Sequence, residues 1–81
     1  MNRELVEIIA EYALFLERAD ESEIPLETAV RQQEDLACRL QRLSSADRRH
    51  FIQLLAEVAN DISAEADRDF LLRLPDNVGI R

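Results

Sequence analysis

Apolar residues recur along most of this chain at spacings of three and four, the period of a helix and not of a strand. The longest such segment is Arg3 to Ala19, RELVEIIAEYALFLERA. On a helix, Leu5, Ile8, Ile9, Tyr12, Phe15, Leu16 and Ala19 fall on one side, and Glu4, Glu7 and Glu11 fall on the other. The apolar stripe covers about half the circumference, and Val6 and Ala13 widen it. That width suits a central helix touching two neighbours. Leu14 is the exception, because it projects from the polar face between Glu7, Glu11 and Arg18.

After a loop, DESEI, Pro25 suits the first turn of a second helix, where its missing N–H costs nothing. This helix spans residues 25–43. Leu26, Ala29, Val30, Leu36, Ala37, Leu40 and Leu43 form its apolar face, with Gln33 at the edge. Cys38 lies nearly opposite Leu36, so it is either exposed or in a subunit contact. LSSAD then punctuates the chain. Ser44 with Asp47 resembles a capping box and starts a third helix over 45–60. Its inner face is Phe51, Ile52, Leu55, Val58, Ala59 and Ile62, with Leu54 extending it. Asn60 to Ser63 reads as a break, in preference to one helix bent near Asn60. Ser63 is then the cap of a fourth helix over 64–74 that buries Ala66, Phe70, Leu71 and Leu74. Pro75 ends it, and residues 76–81 form an irregular tail that Val78 and Ile80 pin to the body. The pattern predicts an all-α fold, a bundle of three to four helices in one domain over 1–81. Leu5, Ile9, Tyr12, Leu16, Leu36, Leu40, Phe51, Leu55 and Phe70 are expected to be buried together.

Length adds a constraint. In 81 residues, burial at roughly 25 cal/mol per Å2 barely exceeds about 1.5 kcal/mol of ordering entropy per residue. One cysteine permits no disulfide within the chain, so a second copy of the chain is a serious source of extra stability. Charge narrows the partners. The chain carries 17 acidic and 10 basic residues, net −7, and every basic residue is Arg. That balance argues against nucleic acid, which is held by phosphate neutralisation, and against an anionic membrane surface. It favours a protein partner with a basic surface. No apolar run approaches a membrane span, and MNRELVEII lacks the form of a signal peptide, which places the chain in the cytoplasm.

Candidate chemistry changes this picture little. Asp47 and His50 have the spacing of one half of a carboxylate-bridged metal site, but such sites need a second copy of the motif and further Glu ligands. Cys38 has no base nearby in sequence, and Ser44 and Ser45 are explained as helix starters. The only glycine is Gly79, so there is no phosphate-binding loop. No catalytic residue, metal, cofactor or small-molecule substrate is expected. Arg39, Arg42, Arg48 and Arg49 cluster at the turn between the second and third helices, and the latter two oppose the helix dipole. A helix-turn-helix DNA reader is disfavoured by the absence of Gly in that turn and by the acidic remainder.

The acids are concentrated early. Residues 1–25 hold seven acids and two Arg, net −5, against −2 for residues 26–81. Glu4, Glu7 and Glu11 around Leu14 therefore form the candidate partner-binding surface, an apolar anchor within a charged rim. The expected function is a non-enzymatic, acidic protein-binding module. Its size and charge are those of an inhibitor of the bacterial immunity or antitoxin type docking on a basic surface, an analogy and no more. The second reading is a structural homodimer or a small assembly subunit of a larger complex.

Overall fold

The computed structural model describes residues 1–81. It has four helices and no strand: α1 (Arg3–Arg18), α2 (Leu26–Gln41), α3 (Ser45–Asn60) and α4 (Glu65–Asn77). None is long and apolar enough to cross a membrane. The break between α3 and α4 falls where the sequence places it.

The helix starts follow local chemistry. The Asn2 side chain accepts a hydrogen bond from the Leu5 N–H, and the Ser44 hydroxyl accepts one from the Asp47 N–H at 3.1 Å. The forward half of the expected capping box is thus formed. Two starts differ from expectation. Pro25 stands just outside α2 as its N-cap, with ψ of 143°, and not in the first turn. Ser63 does not cap α4. Ala64 occupies the N-cap position with no side-chain bond, and the acids Glu65 and Asp67 supply the negative charge that this helix end favours.

Pro75 does not end α4. It lacks an N–H for the Leu71 carbonyl, but the turn beyond it closes through other bonds. The Val78 N–H donates to the Leu74 carbonyl at 2.9 Å, Gly79 to Asp76 at 3.2 Å, and Ile80 to Pro75 at 3.0 Å. With Gly79 at φ of 78°, the last two bonds make a Schellman closure, which also packs Ile80 against the final turn. Val78 and Ile80 are buried, so the tail is pinned to the body as expected. The Gln41 side-chain amide adds a tie by donating to the Val78 carbonyl at 2.8 Å.

One core joins all four helices. Val6, Ala10 and Ala13 come from α1, Leu40 from α2, Phe51, Leu55, Val58 and Ala59 from α3, and Leu71 and Leu74 from α4. The most extensive packing is of α3 on α1 and on α4, while α2 lies against α1 with a smaller contact. The bulk comes from α3 and α4, where Phe51, Leu55 and Leu71 are almost wholly excluded from water.

This corrects the expected phase of α1. Its buried line is Val6, Ala10, Ala13 and Leu16, about a third of a turn from the expected stripe. Leu5 and Tyr12, both expected inside, are exposed, as are Ile8 and Phe15. Ile9, Leu36 and Phe70 are half-buried against the core, and Ala66 is exposed. The physical reason is volume. Large side chains on α3 and α4 already fill the interior, so α1 meets them with small ones.

Two stability predictions follow from this packing. Leu55→Ala should cost about 2–5 kcal/mol, whereas Leu5→Ala should change monomer stability by no more than about 0.5 kcal/mol. Urea unfolding at low protein concentration measures both, and equal costs would contradict the observed phase. Gly79→Ala should cost about 1–2 kcal/mol, because an L side chain resists positive φ. The added methyl would also sit 3.2 Å from the Gln41 amide nitrogen. A midpoint unchanged from the parent would show that this closure contributes nothing.

Candidate functional site

Three sectors run around α1. The inner one is the buried line just described. A polar sector carries Glu4, Glu7, Glu11 and Arg18. Between them on the outside lie Leu5, Ile8, Tyr12 and Phe15, exposed by 51, 58, 39 and 47%. Four large apolar side chains therefore share one uncovered strip on a regular helix. The Tyr12 hydroxyl donates to the Gln32 side chain of α2 at 3.1 Å, so α2 borders one edge of the strip.

The four residues singled out as the binding surface separate in the structure. Glu4 and Glu11 are exposed and border the apolar strip. Glu7 is half-buried and accepts from Arg3 at 3.2 Å. Leu14 is half-buried and packs against the core, so it is no free-standing anchor. Arg3 also pairs with Asp61 and lies 3.9 Å from Glu57, tying the start of α1 to the end of α3. At the other end of α1, Arg18 pairs with Asp67 of α4, whose side chain is only 16% exposed.

The acidic loop after α1 has an internal explanation. The Asp20 carboxylate accepts from the Ser22 hydroxyl at 2.5 Å, the Ser22 N–H at 2.9 Å and the Glu23 N–H at 3.2 Å. These bonds, the hydroxyl first, hold its carboxyl below the ordinary value of 3.8. The Arg cluster is likewise partly structural. Arg48 donates to the Leu43 carbonyl at 3.1 Å and to the Gln41 carbonyl, so it caps the end of α2 from the first turn of α3. Arg39 pairs with Asp35 at 3.0 Å, while Arg42 and Arg49 are exposed.

No other place assembles chemistry. Cys38 and His50 are exposed, and no three His, Cys, Asp or Glu side chains converge to hold a metal ion. No polar or charged residue is buried. A half-open groove of about 300 Å3 lies between α1, α2 and α4, walled mainly by Val30, Leu36, Ala37, Phe70 and Leu74. Glu17, Glu34 and Gln33 stand along it, and Gln33 is at the edge of the core as expected.

No protein-family model matches this chain. Neither a curated protein nor a solved structure is detectably similar to it.

The strip itself is absent from the expected site, because the helical period alone puts its residues in the core. The signal that finds it is the total apolar arc of α1. Of the two stripes, Val6–Ala10–Ala13 and Leu5–Ile8–Tyr12–Phe15, the chain buries only the first.

Asp20 gives a titration prediction. Its folded value is depressed, so its stabilising effect is present above the ordinary value of 3.8 and is lost as pH falls through the folded one. Carboxyl NMR titration should place Asp20 below 3.8, and Ser22→Ala should move it back up. A midpoint at or above 3.8 in the parent would contradict the hydrogen-bonded loop.

Proposed function

We propose that this chain is a non-enzymatic protein-binding module and that its working surface is the outer strip of α1. The observation that carries the reading is the strip: Leu5, Ile8, Tyr12 and Phe15 uncovered side by side. A single exposed leucine is ordinary, but a row of large apolar side chains is an interaction surface in waiting. Covering it gains roughly 25 cal/mol per Å2 removed from water. The helix presents the row rigidly, so little ordering entropy is lost on docking.

Charge shapes the surroundings of this contact. Glu4 and Glu11 border the strip and would steer encounter and disfavour wrong partners. The inhibitor form of the reading, docking on a basic surface, draws on the net charge of −7, whereas the strip supports protein binding in general. A reducing compartment such as the cytoplasm suits the exposed, unpaired Cys38.

The test is comparative capture. A tagged copy is used to retain proteins from an extract of the source cell, beside the variant carrying Ile8→Glu and Phe15→Glu. Both sites are exposed, so circular dichroism should stay helical. Specific recovery is predicted to fall by about tenfold or more, as expected for central apolar contacts. Equal recovery by both baits would remove the strip from the function.

A further inference from the structure

We propose that the occupant of this strip is a second copy of the chain, docked antiparallel along α1 about a two-fold axis near Glu11. The inference rests on the strip being the working surface and names what covers it.

Spacing is the first argument. Leu5, Ile8, Tyr12 and Phe15 are separated by three, four and three residues. These are the a and d positions of two heptads, the narrow seam along which two helices pack at about 20°. A groove-binding helix of a globular core commonly has a broader face. Here the broad face is already divided, with the inner stripe facing this chain's own α3 and the outer seam left open.

The flanks give the orientation. One is closed by α2, through the Tyr12–Gln32 bond. The other carries Glu4, Glu11 and Arg18, seven residues apart and all exposed. In an antiparallel pair, this open flank faces its own copy. Leu5 then lies across from the partner's Phe15, and Ile8 across from the partner's Tyr12. The same register sets Glu4 against the partner's Arg18, twice by symmetry. Glu11 meets the partner's Glu11 on the axis. The Arg18 guanidinium has five donors and remains 59% exposed beside Asp67, so it can serve both acids. Opposed helix dipoles also favour this arrangement.

The alternatives fit less well. A parallel pair would turn the open flank toward the flank that α2 occupies. Glu4 and Arg18 would find no opposite charge there, and the dipoles would align. A uniformly basic partner would match Glu4 and Glu11 but meet Arg18 with repulsion. The flank changes sign along its length, which is the pattern that complements itself under a two-fold axis.

Burial points the same way. Only 15 of 81 residues are buried, although 47% are apolar, so the single chain covers little of what it carries. Four half-exposed side chains offer on the order of 400 Å2 per copy, below the roughly 800 Å2 of a standard interface. A dimer with a dissociation constant on the order of 100 μM is the matching expectation.

Sedimentation equilibrium of the purified full chain tests this from about 10 μM to about 1 mM, around the expected affinity. The mass should rise from 9.4 kDa toward twice that value. Ile8→Glu should stay helical and monomeric throughout. Glu11→Gln should tighten the dimer by about threefold to tenfold, because it removes like charge on the axis. Glu11→Cys, placed in a Cys38→Ser background, should cross-link to its own copy under mild oxidation. Four results overturn the proposal: a monomer at every concentration, a dimer indifferent to Ile8→Glu, a dimer loosened by Glu11→Gln, or no cross-link at position 11. A monomer that still loses its extract partners with Ile8→Glu and Phe15→Glu overturns the second copy alone. Loss of neither self-association nor capture overturns the strip as well.

Discussion

Phe51 and Leu55 of α3 need a partner face with little side-chain volume, and α1 supplies it as Val6, Ala10 and Ala13. The rest of the molecule depends on this match of bulk to small. It lets α3 serve as the shared neighbour of α1 and α4, the two most extensive contacts in the fold. It also fixes the rotation of α1 about its own axis. Once the small stripe turns inward, the large residues of the other stripe have nowhere to go but outward. The exposed strip is thus a consequence of how the core is filled, and what the chain does with that strip is a separate, functional matter.

The ends of the helices carry a second constraint. Each helix leaves carbonyls unmatched at its C-terminus, and this chain answers them in different ways. Arg48 reaches back from α3 to the carbonyls of Gln41 and Leu43. Gly79 turns the chain so that Gly79 and Ile80 bond back to Asp76 and Pro75. Arg68 donates to the Ile62 carbonyl at 3.3 Å, near the end of α3. An arginine in a first turn opposes its own helix dipole, but the bonds Arg48 makes to the preceding helix offset that. Gln41 then joins two of these ends by donating to Val78.

Local grammar was legible in the sequence, and rotation was not. Ser44 starts α3 and the chain breaks after Asn60 because each depends on near neighbours alone, while Val78 and Ile80 are buried because they are the only large apolar residues of the tail and the core accepts them. At Pro75 the usual meaning of a proline, an end, yields to a Gly79 closure four residues on. Ser63 is a capable cap standing one residue too early, since Ala64 holds the N-cap position. The phase of α1 failed for a deeper reason. Ranking faces by size of apolar residue assumes that the largest go inside, whereas the interior volume is set by the facing helices. Leu14 shows the same effect from the other side, since the polar face on which it sits is tilted against the core. The width of the apolar arc is visible in the sequence and implies a central helix, and α1 does pack against α2, α3 and α4. What periodicity cannot say is which part of that arc the chain's own helices leave uncovered.

A net charge of −7 at first argues against pairing two copies. The objection weakens when charge is counted locally, because screening confines it to about 8 Å at physiological salt. Arg3 is shared by Glu7 and Asp61 and offsets one of their two charges, and Asp67 is paired with Arg18. Along the seam itself stand two acids, Glu4 and Glu11, and one Arg, Arg18, so each copy brings one unbalanced negative charge to the seam rather than seven. In the proposed antiparallel pair, the acidic loop of Asp20, Glu21 and Glu23 also lies toward the positive start of the partner's α1. The apolar strip would then supply the contact, and the alternation of charge its register. The unbalanced acids elsewhere would act on the remaining surface, where mutual repulsion opposes any further growth beyond a closed pair.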